Sequence, residues 1–175
     1  MTDPVAQFAE WWNGDAVPVV VATVSPDGRP SARAVVLEGF DDNGFFFWSS
    51  SESPKGRDLA ANPHAALVFL WDDRQVRVEG RVKRVPDEEN DRHWRTCDGK
   101  RQLAAFRQSE PIGSREQLEQ LVERVPEDPP RPPFWVGYRV VPERVEFWEL
   151  DDDFVHDRFR FDRVGPEWKS SRLQP

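Results

Sequence analysis

The sequence predicts an α+β fold dominated by antiparallel strands: a small β-barrel of roughly six strands with helices packed outside it. Three observations lead there. Apolar, β-branched runs are joined by hairpin turns, "SPDG" at 25–28 and "DDNG" at 41–44, where Pro, Asn, Asp and Gly supply the dihedrals that tight turns need. Residues 76–83 alternate Val76, Val78, Gly80, Val82 against Arg77, Glu79, Arg81, Lys83, the period of a strand with one wet face. Helical spacing is confined to an N-terminal arm, one short segment near residue 54 and an insertion over 87–125.

Val5, Phe8, Ala9 and Trp12 share one helical face and predict a helix over about 4–13, within an arm of residues 1–16. "VPVVVATV" is a strand, and "RPSARAVVLEGF" is its return partner. "FFFWSS" follows the second turn, and "AALVFLW" reads as a buried strand. "DEENDRHWRTC" and "RQLAAFRQ" look helical, separated by Asp98-Gly99. In "GSREQLEQLVERV", Ser114 and Gln117 form a capping box, with Leu118, Leu121, Val122 and Val125 at helical spacing. "PEDPPRPPF" is an extended connector within one domain, because strands resume at once. "FWVGYRVVPERVEFWEL" gives one or two strands, and "HDRFRF" and "WKSSRLQP" close the chain, so a single domain is expected over 1–175.

Bulk composition narrows the function. The net charge is −8 with scattered basic residues, a poor match to nucleic acid or to an anionic membrane. The single cysteine, Cys97, leaves no internal disulfide and suits a reducing compartment. The first residues lack an apolar run, so a cytoplasmic protein without a signal peptide is expected. Eight Trp and twelve Phe argue for a packed aromatic core in spite of 32% charged residues.

The stretch "SESPKGRDLAANP", residues 51–63, poses the sharpest chemical question. Ser53 is a good N-cap, Pro54 fits the first helical position, and Asn62-Pro63 makes a stop, so a helix is expected from Pro54 to about Ala61. Lys55 and Arg57 then sit at the positive end of the helix dipole, which ordinarily disfavours cations by a few tenths to ~1 kcal/mol. A bound anion, most naturally a phosphate, makes that placement favourable, whereas side chains extending into solvent make it unremarkable. Arg33 favours the anion: strand alternation puts it on the same side as Val35 and Leu37, where an arginine needs a partner. In "FWELDDDFVHDRF", His156 and Arg158 share one face beside the strand of Trp148, against the alternative of a surface ion pair made by Asp157. The "DDD" run lacks the Gly and Glu of a calcium loop. His93 and Cys97 stand four apart on a helix, but two ligands do not make a zinc site, so no metal is expected.

Together, "PSARAVVL", "FFFWSSSESPKGRDLAANPHAALVFLW", "RQVRVEGRV", "RQSEPIGSRE" and "FW…EFW…VHDRF…W…RLQP" resemble the pyridoxine/pyridoxamine 5′-phosphate oxidase family, in the family's order and over roughly residues 18–175. The resemblance implies an FMN-binding split β-barrel of Greek-key antiparallel strands, working as a homodimer with two flavins at the interface. The FMN phosphate then answers the question raised by Lys55. Residue by residue it implies flavin contacts from Arg33, from Ala34, Val35 and Val36 along their strand, and from Trp48 and Ser49 in place of Tyr-Thr. It also implies Ser53 and Lys55 at the phosphate with Pro54 replacing an arginine, then Gln75, Gln108 with Ser109, Trp148 and Arg158.

The substrate side departs from the family. The positions that hold the substrate phosphate correspond to Glu38, His93, Cys97 and Arg101 here, and the arginine over the pyridine ring corresponds to Phe154, while His156 is kept. At ~5 Å and an effective dielectric of ~20, a carboxylate such as Glu38 repels each unit of phosphate charge by roughly 3 kcal/mol, about a hundredfold in affinity. Lys100 or Arg101 is a possible replacement cation. The expectation is therefore an FMN-dependent oxidase that passes a hydride from a small cyclic or aromatic-type substrate to FMN and on to O2, giving H2O2. That substrate is expected to be other than a B6 phosphate, as in the flavin oxidases of phenazine biosynthesis, with His156 orienting or deprotonating it. The alternatives are a genuine pyridoxine/pyridoxamine 5′-phosphate oxidase, a split-barrel flavin or deazaflavin reductase, or a non-catalytic dimeric module.

Overall fold

A computed structural model describes residues 3–12, 14, 18–97, 111–124, 126, 128–151 and 155–174. The expected barrel is there with more strands than expected: nine, all antiparallel and in one sheet. They are β1 (Pro18–Val24), β2 (Pro30–Val36), β3 (Gly39–Asp41), β4 (Gly44–Ser50), β5 (His64–Leu70), β6 (Arg74–Arg84), β7 (Trp135–Glu149), β8 (Asp157–Val164) and β9 (Glu167–Arg172). The count rises because the return strand breaks after Val36 into β2 and β3. The C-terminal segments also each pair as strands in their own right. The helices among the described residues are α1 (Pro4–Trp11), α2 (Pro54–Ala61), α3 (Asp87–Thr96) and α4 (Arg115–Glu123). The expected helix "RQLAAFRQ" lies outside the described residues.

The main path of the sheet runs β2-β1-β5-β6-β7-β4-β3, with β8 also on β7 and β9 on β8. β7 is the branch. β6 lines one of its edges throughout, while the other edge is divided: residues 135–140 pair with β4 and residues 144–149 pair with β8. A bulge marks the fork, because Glu79 pairs with Arg144 but Gly80 pairs with Pro142, leaving Glu143 unmatched. A Cβ on Gly80 would stand 2.0 Å from the Val141 carbonyl oxygen, so only glycine fits at this close approach. The extra residue reverses the phase of β7. Val136, Tyr138 and Val140 face the core before it, and Val145 and Phe147 after it.

The core is a cylinder of Val19, Val21, Leu67, Val76, Val78, Val145 and Phe161, all fully buried, extended by aromatic rings. α1 supplies Phe8, completely buried, in edge contacts with Phe40, Phe45 and Phe69 at ring-centroid separations of 4.7–4.9 Å. The helix is held at its start by Asp3, whose side chain accepts from the Val5 N–H at 2.9 Å. α4 starts with the expected cap: Ser114 Oγ accepts from the Gln117 N–H at 3.3 Å, but Gln117 Oε1 reaches back to the Gly113 N–H rather than to that of Ser114. The wet side of β6 is less open than alternation suggests, since Arg77 pairs with Glu146 of β7, a glutamate only 4% exposed.

Candidate active site

Phosphate end. α2 covers the expected residues, and Ser53 caps it as expected. Its Oγ accepts from the Gly56 N–H at 3.2 Å and donates to the Ser50 carbonyl at 2.7 Å. Gly56 is required for this seating, because a Cβ there would stand 2.5 Å from the Ser51 carbonyl oxygen. The two basic residues of the first turns behave differently. Arg57 folds back to donate to the Glu52 carbonyl and stays exposed, so it takes no part in the site. Lys55 turns inward, with Nζ 3.3 Å from Ser53 Oγ. There, burial and the neighbouring positive charge of Arg33 hold the Lys55 ammonium below the usual lysine range.

Arg33 lies on the inner face, opposite buried Val21 of β1, as strand phase predicts. Its guanidinium donates to Thr23 Oγ1 at 2.8 Å, to Ser31 Oγ at 2.7 Å and to the Val21 carbonyl at 3.4 Å. Among the described residues, neither Arg33 nor Lys55 is in an ion pair. Two cations close enough to repel, beside a capped helix N-terminus and the buried hydroxyl of Ser53, make a recess that favours a dianion. That arrangement fits the phosphate of a flavin mononucleotide.

Outer row. Gln75, Trp148 and Arg158 come from β6, β7 and β8, and the register places them directly opposite one another: Gln75 with Trp148, and Trp148 with Arg158. They therefore form a half-buried row on the outer face of the sheet. Arg158 is held by Glu146, which accepts from its Nη2 at 2.7 Å, and its Nε is buried without a hydrogen-bond partner among the described residues. His156 packs beside Trp148 with ring centroids 4.9 Å apart. Arg158 thus belongs to this row, on the outer face of β8, while Arg33 is on the inner face of β2. Within one chain the basic residues Arg33, Lys55 and Arg158 therefore form two groups, and of the three only Arg33 and Lys55 are neighbours.

Substrate flank. α3 presents Asn90, His93, Trp94 and Cys97 toward the outer side of β4 and β7. The Trp48 indole stacks on the His93 imidazole, 3.8 Å between centroids and 17° between planes, and Cys97 Sγ lies 3.5 Å from His93 Nε2. Asn90 fixes this arrangement. Its Oδ1 accepts from Trp48 Nε1 at 3.0 Å and from the Gly137 N–H at 2.7 Å, and its Nδ2 donates to the Val85 carbonyl at 3.1 Å. A Cβ on Gly137 would stand 2.7 Å from Trp48 Nε1, so the ring lies flat on bare backbone. Glu38 follows β2, and its N–H donates to the Phe46 carbonyl, two residues along β4 from Trp48. Of the expected residues, Gln108, Ser109, Arg101 and Phe154, with the alternative Lys100, lie outside the described residues. Ala34 and Val36 alternate with Arg33 and Val35 and face outward, where Val20 and Val36 are 42% and 39% exposed on an apolar patch shared by β1 and β2.

Thr23, Asp58, Asn90 and Glu146 are structural parts of the site that sequence reasoning missed. Each is a buried polar residue, and only the phase of Thr23 with Val19 and Val21 in β1 pointed inward beforehand. No described helix is long and apolar enough to cross a membrane, and no described cluster of three or more His, Cys, Asp or Glu stands ready for a metal.

Comparisons with known proteins bear on the fold and the family. Residues 5–128 match the family model described as pyridoxamine 5′-phosphate oxidase, and residues 135–175 match the pyridoxine 5′-phosphate oxidase C-terminal dimerisation region. A pyridoxine/pyridoxamine 5′-phosphate oxidase of Rubrobacter xylanophilus is 47% identical over 99% of this chain and 87% of its own length; one of Myxococcus xanthus is 43% identical over 99% and 92%. Among solved structures, PhzG from Burkholderia lata 383, in complex with tetrahydrophenazine-1-carboxylic acid, superposes with a TM-score of 0.91 at 30% identity, covering 100% of this chain and 94% of that one. An FMN-binding protein of Nostoc punctiforme shares the fold at a TM-score of 0.76 and 23% identity, over 90% and 88%. The chain belongs to the pyridoxamine 5′-phosphate oxidase family of FMN-dependent oxidoreductases.

Proposed function

We propose that this protein is an FMN-dependent oxidase that removes a hydride from a small, flat, cyclic substrate other than a B6 phosphate, with O2 as the final acceptor and H2O2 as product. The observation that carries the substrate half is the α3 flank. Where the family holds the substrate phosphate with cations and hydroxyls, this chain has Glu38, whose N–H is bonded to the Phe46 carbonyl, together with a Trp48–His93 stack and the Cys97 thiol. A carboxylate and aromatic planes favour a flat ring system over a dianion.

FMN, when bound, supplies the hydride acceptor; the protein supplies its placement. Ser53, Lys55 and Arg33 hold the phosphate at the N-terminus of α2. Ala34 to Val36 bring the β2 backbone along the ring, and Ser49 closes the recess at the end of β4. Gln75, Trp148 and Arg158 form the outer row of contacts. Because that row and the phosphate recess are on opposite faces of one chain, each complete site takes its row from a second copy. The C-terminal dimerisation region, which includes Trp148 and Arg158, supports that division. His156, against Trp148, holds or accepts a proton of the substrate. Trp48 offers an apolar wall, Glu38 disfavours the double charge of a phosphate, and Glu38 or Arg101 selects the charge of the substrate. Gln108 and Ser109 are assigned flavin contacts, and Arg101 and Phe154 substrate contacts, by the resemblance alone.

The test is direct. The purified protein is expected to be yellow, to release FMN on denaturation, and to make peroxide with dihydro- or tetrahydro-aromatic carboxylic acids while turning over pyridoxamine 5′-phosphate at least a hundredfold less efficiently. Efficient pyridoxamine 5′-phosphate oxidation would overturn the substrate assignment and favour a genuine B6 oxidase. The names and 43–47% identities of the curated relatives support that second reading.

A further inference from the structure

The buried polar contacts behind Arg33 run in one direction. Arg33 Nη1 donates to Thr23 Oγ1 at 2.8 Å, and Thr23 Oγ1 is 2.7 Å from Asp58 Oδ2. Thr23 is 1% exposed and Asp58 7%. A guanidinium only donates, and a hydroxyl carries a single proton. The threonine proton therefore goes to Asp58, and its lone pairs face Arg33. The three residues come from three elements: Arg33 from β2, Thr23 from β1 and Asp58 from α2, the helix whose first turn carries Lys55. Ser31, the cross-strand partner of Thr23, takes the other arm of the guanidinium at 2.7 Å.

We propose that Thr23 and Asp58 are positioning residues of the phosphate site: a directional relay that fixes the Arg33 guanidinium and ties it to the helix bearing Lys55. The inference rests on the reading that Arg33 and Lys55 hold the FMN phosphate. A hydroxyl held as acceptor cannot rotate to compete as a donor, so the guanidinium keeps one orientation before the cofactor arrives. Asp58 also supplies a single negative charge behind two cations. The recess then stays net positive toward its open side while the cations are tolerated at close quarters. Burial and Arg33 both depress the proton affinity of Lys55, which agrees with cations crowded in advance of an anion.

A relay that acts on the phosphate changes affinity for FMN and leaves affinity for riboflavin alone, whereas a merely structural pin between α2 and β1 changes both. The experiment prepares apo-protein and titrates it with FMN and with riboflavin, following quenching of flavin fluorescence. Thr23→Val removes the hydroxyl at nearly constant shape. It is expected to weaken FMN binding by about tenfold or more, the worth of a charge-assisted hydrogen bond, with riboflavin affinity unchanged. Thr23→Ser is expected to restore the FMN affinity. Asp58→Ala is expected to give the same selective loss. Removal of a negative charge alone would tighten FMN binding, so a gain in Asp58→Ala overturns the relay. An equal loss for both ligands in Thr23→Val also overturns it. Arg33→Ala and Lys55→Ala test the parent reading separately. If they leave the FMN-to-riboflavin ratio unchanged, the phosphate assignment is wrong; if they lower it and Thr23→Val does not, only the relay is wrong.

Discussion

Two helices, α2 and α3, are each docked on the barrel through one buried polar side chain, and the partners of those side chains differ. Asp58 of α2 reaches Thr23 and through it a guanidinium; Asn90 of α3 reaches a carbonyl, a backbone N–H and an indole. The first arrangement aims a charge, and the second holds a flat surface. The difference shows how one device, a satisfied polar group under a helix, fixes a guanidinium at one place and an indole at another. It also separates the costs. Loss of Asn90 strands several groups at once, while loss of Asp58 leaves a cation that a phosphate can still satisfy.

The largest effect expected from that contrast is in stability at α3. Asn90→Leu leaves the Gly137 N–H and the Trp48 indole N–H buried without acceptors and is expected to cost about 3 kcal/mol in urea unfolding. A loss below 1 kcal/mol would mean that water or a neighbouring group replaces the amide. Next comes Gly56→Ala, which forces α2 off the 50–51 turn. It is expected to lose about 1–3 kcal/mol of stability, with FMN affinity falling further than riboflavin affinity. Equal losses would show that α2 is scaffold rather than cradle.

Glu146→Gln sharpens the comparison from a third place, the outer row. Arg158 and Arg77 both lean on this glutamate, and its neutralisation loosens Arg158 without touching α2. FMN and riboflavin are both expected to bind less tightly, by several-fold and in the same ratio, if the row contacts the ring as proposed. A loss confined to FMN would move Arg158 to the phosphate.

The smallest effect is a pH signature of Lys55. Its folded pKa lies below the ordinary value of 10.5 through burial and Arg33, so the unfolded chain binds the more protons between the two values. The resulting destabilisation of the apo-protein is present at neutral pH and relieved as pH rises through the lowered pKa toward 10.5. Lys55→Met is therefore expected to raise the urea midpoint of apo-protein at pH 8, with the gain shrinking as the pH approaches 10.5, while weakening FMN. A midpoint gain that does not change with pH would assign it to added apolar contact instead.

How much of this could be read beforehand depended on whether the signal was local. α2 was legible to the residue because Ser53-Pro54 and Asn62-Pro63 punctuate it, and Arg33 was legible because strand phase tied it to Val35 and Leu37. The division of Arg158 from Arg33 was not, since the face a residue occupies on β8 depends on pairing with β7, far away in the chain. Asn90 sits in "DEENDRHWRT", where nothing marks one polar residue as buried. Only its spacing with Trp94 and Cys97 traces the inward stripe. The break after Val36 had no sequence mark either, and it accounts for one of the extra strands.

Glu143 is the exposed residue of the bulge, opposite no residue of β6, and the alternation of β7 passes over it. Were it excised, Pro142 and Arg144 would become neighbours opposite Gly80 and Glu79, alternation would run unbroken through β7, and Trp148 would keep the outer face with Phe147 in the core. Neither a substitution nor a deletion here is expected to turn the strand over, so the fork is a place in β7 where a change of length leaves both faces intact.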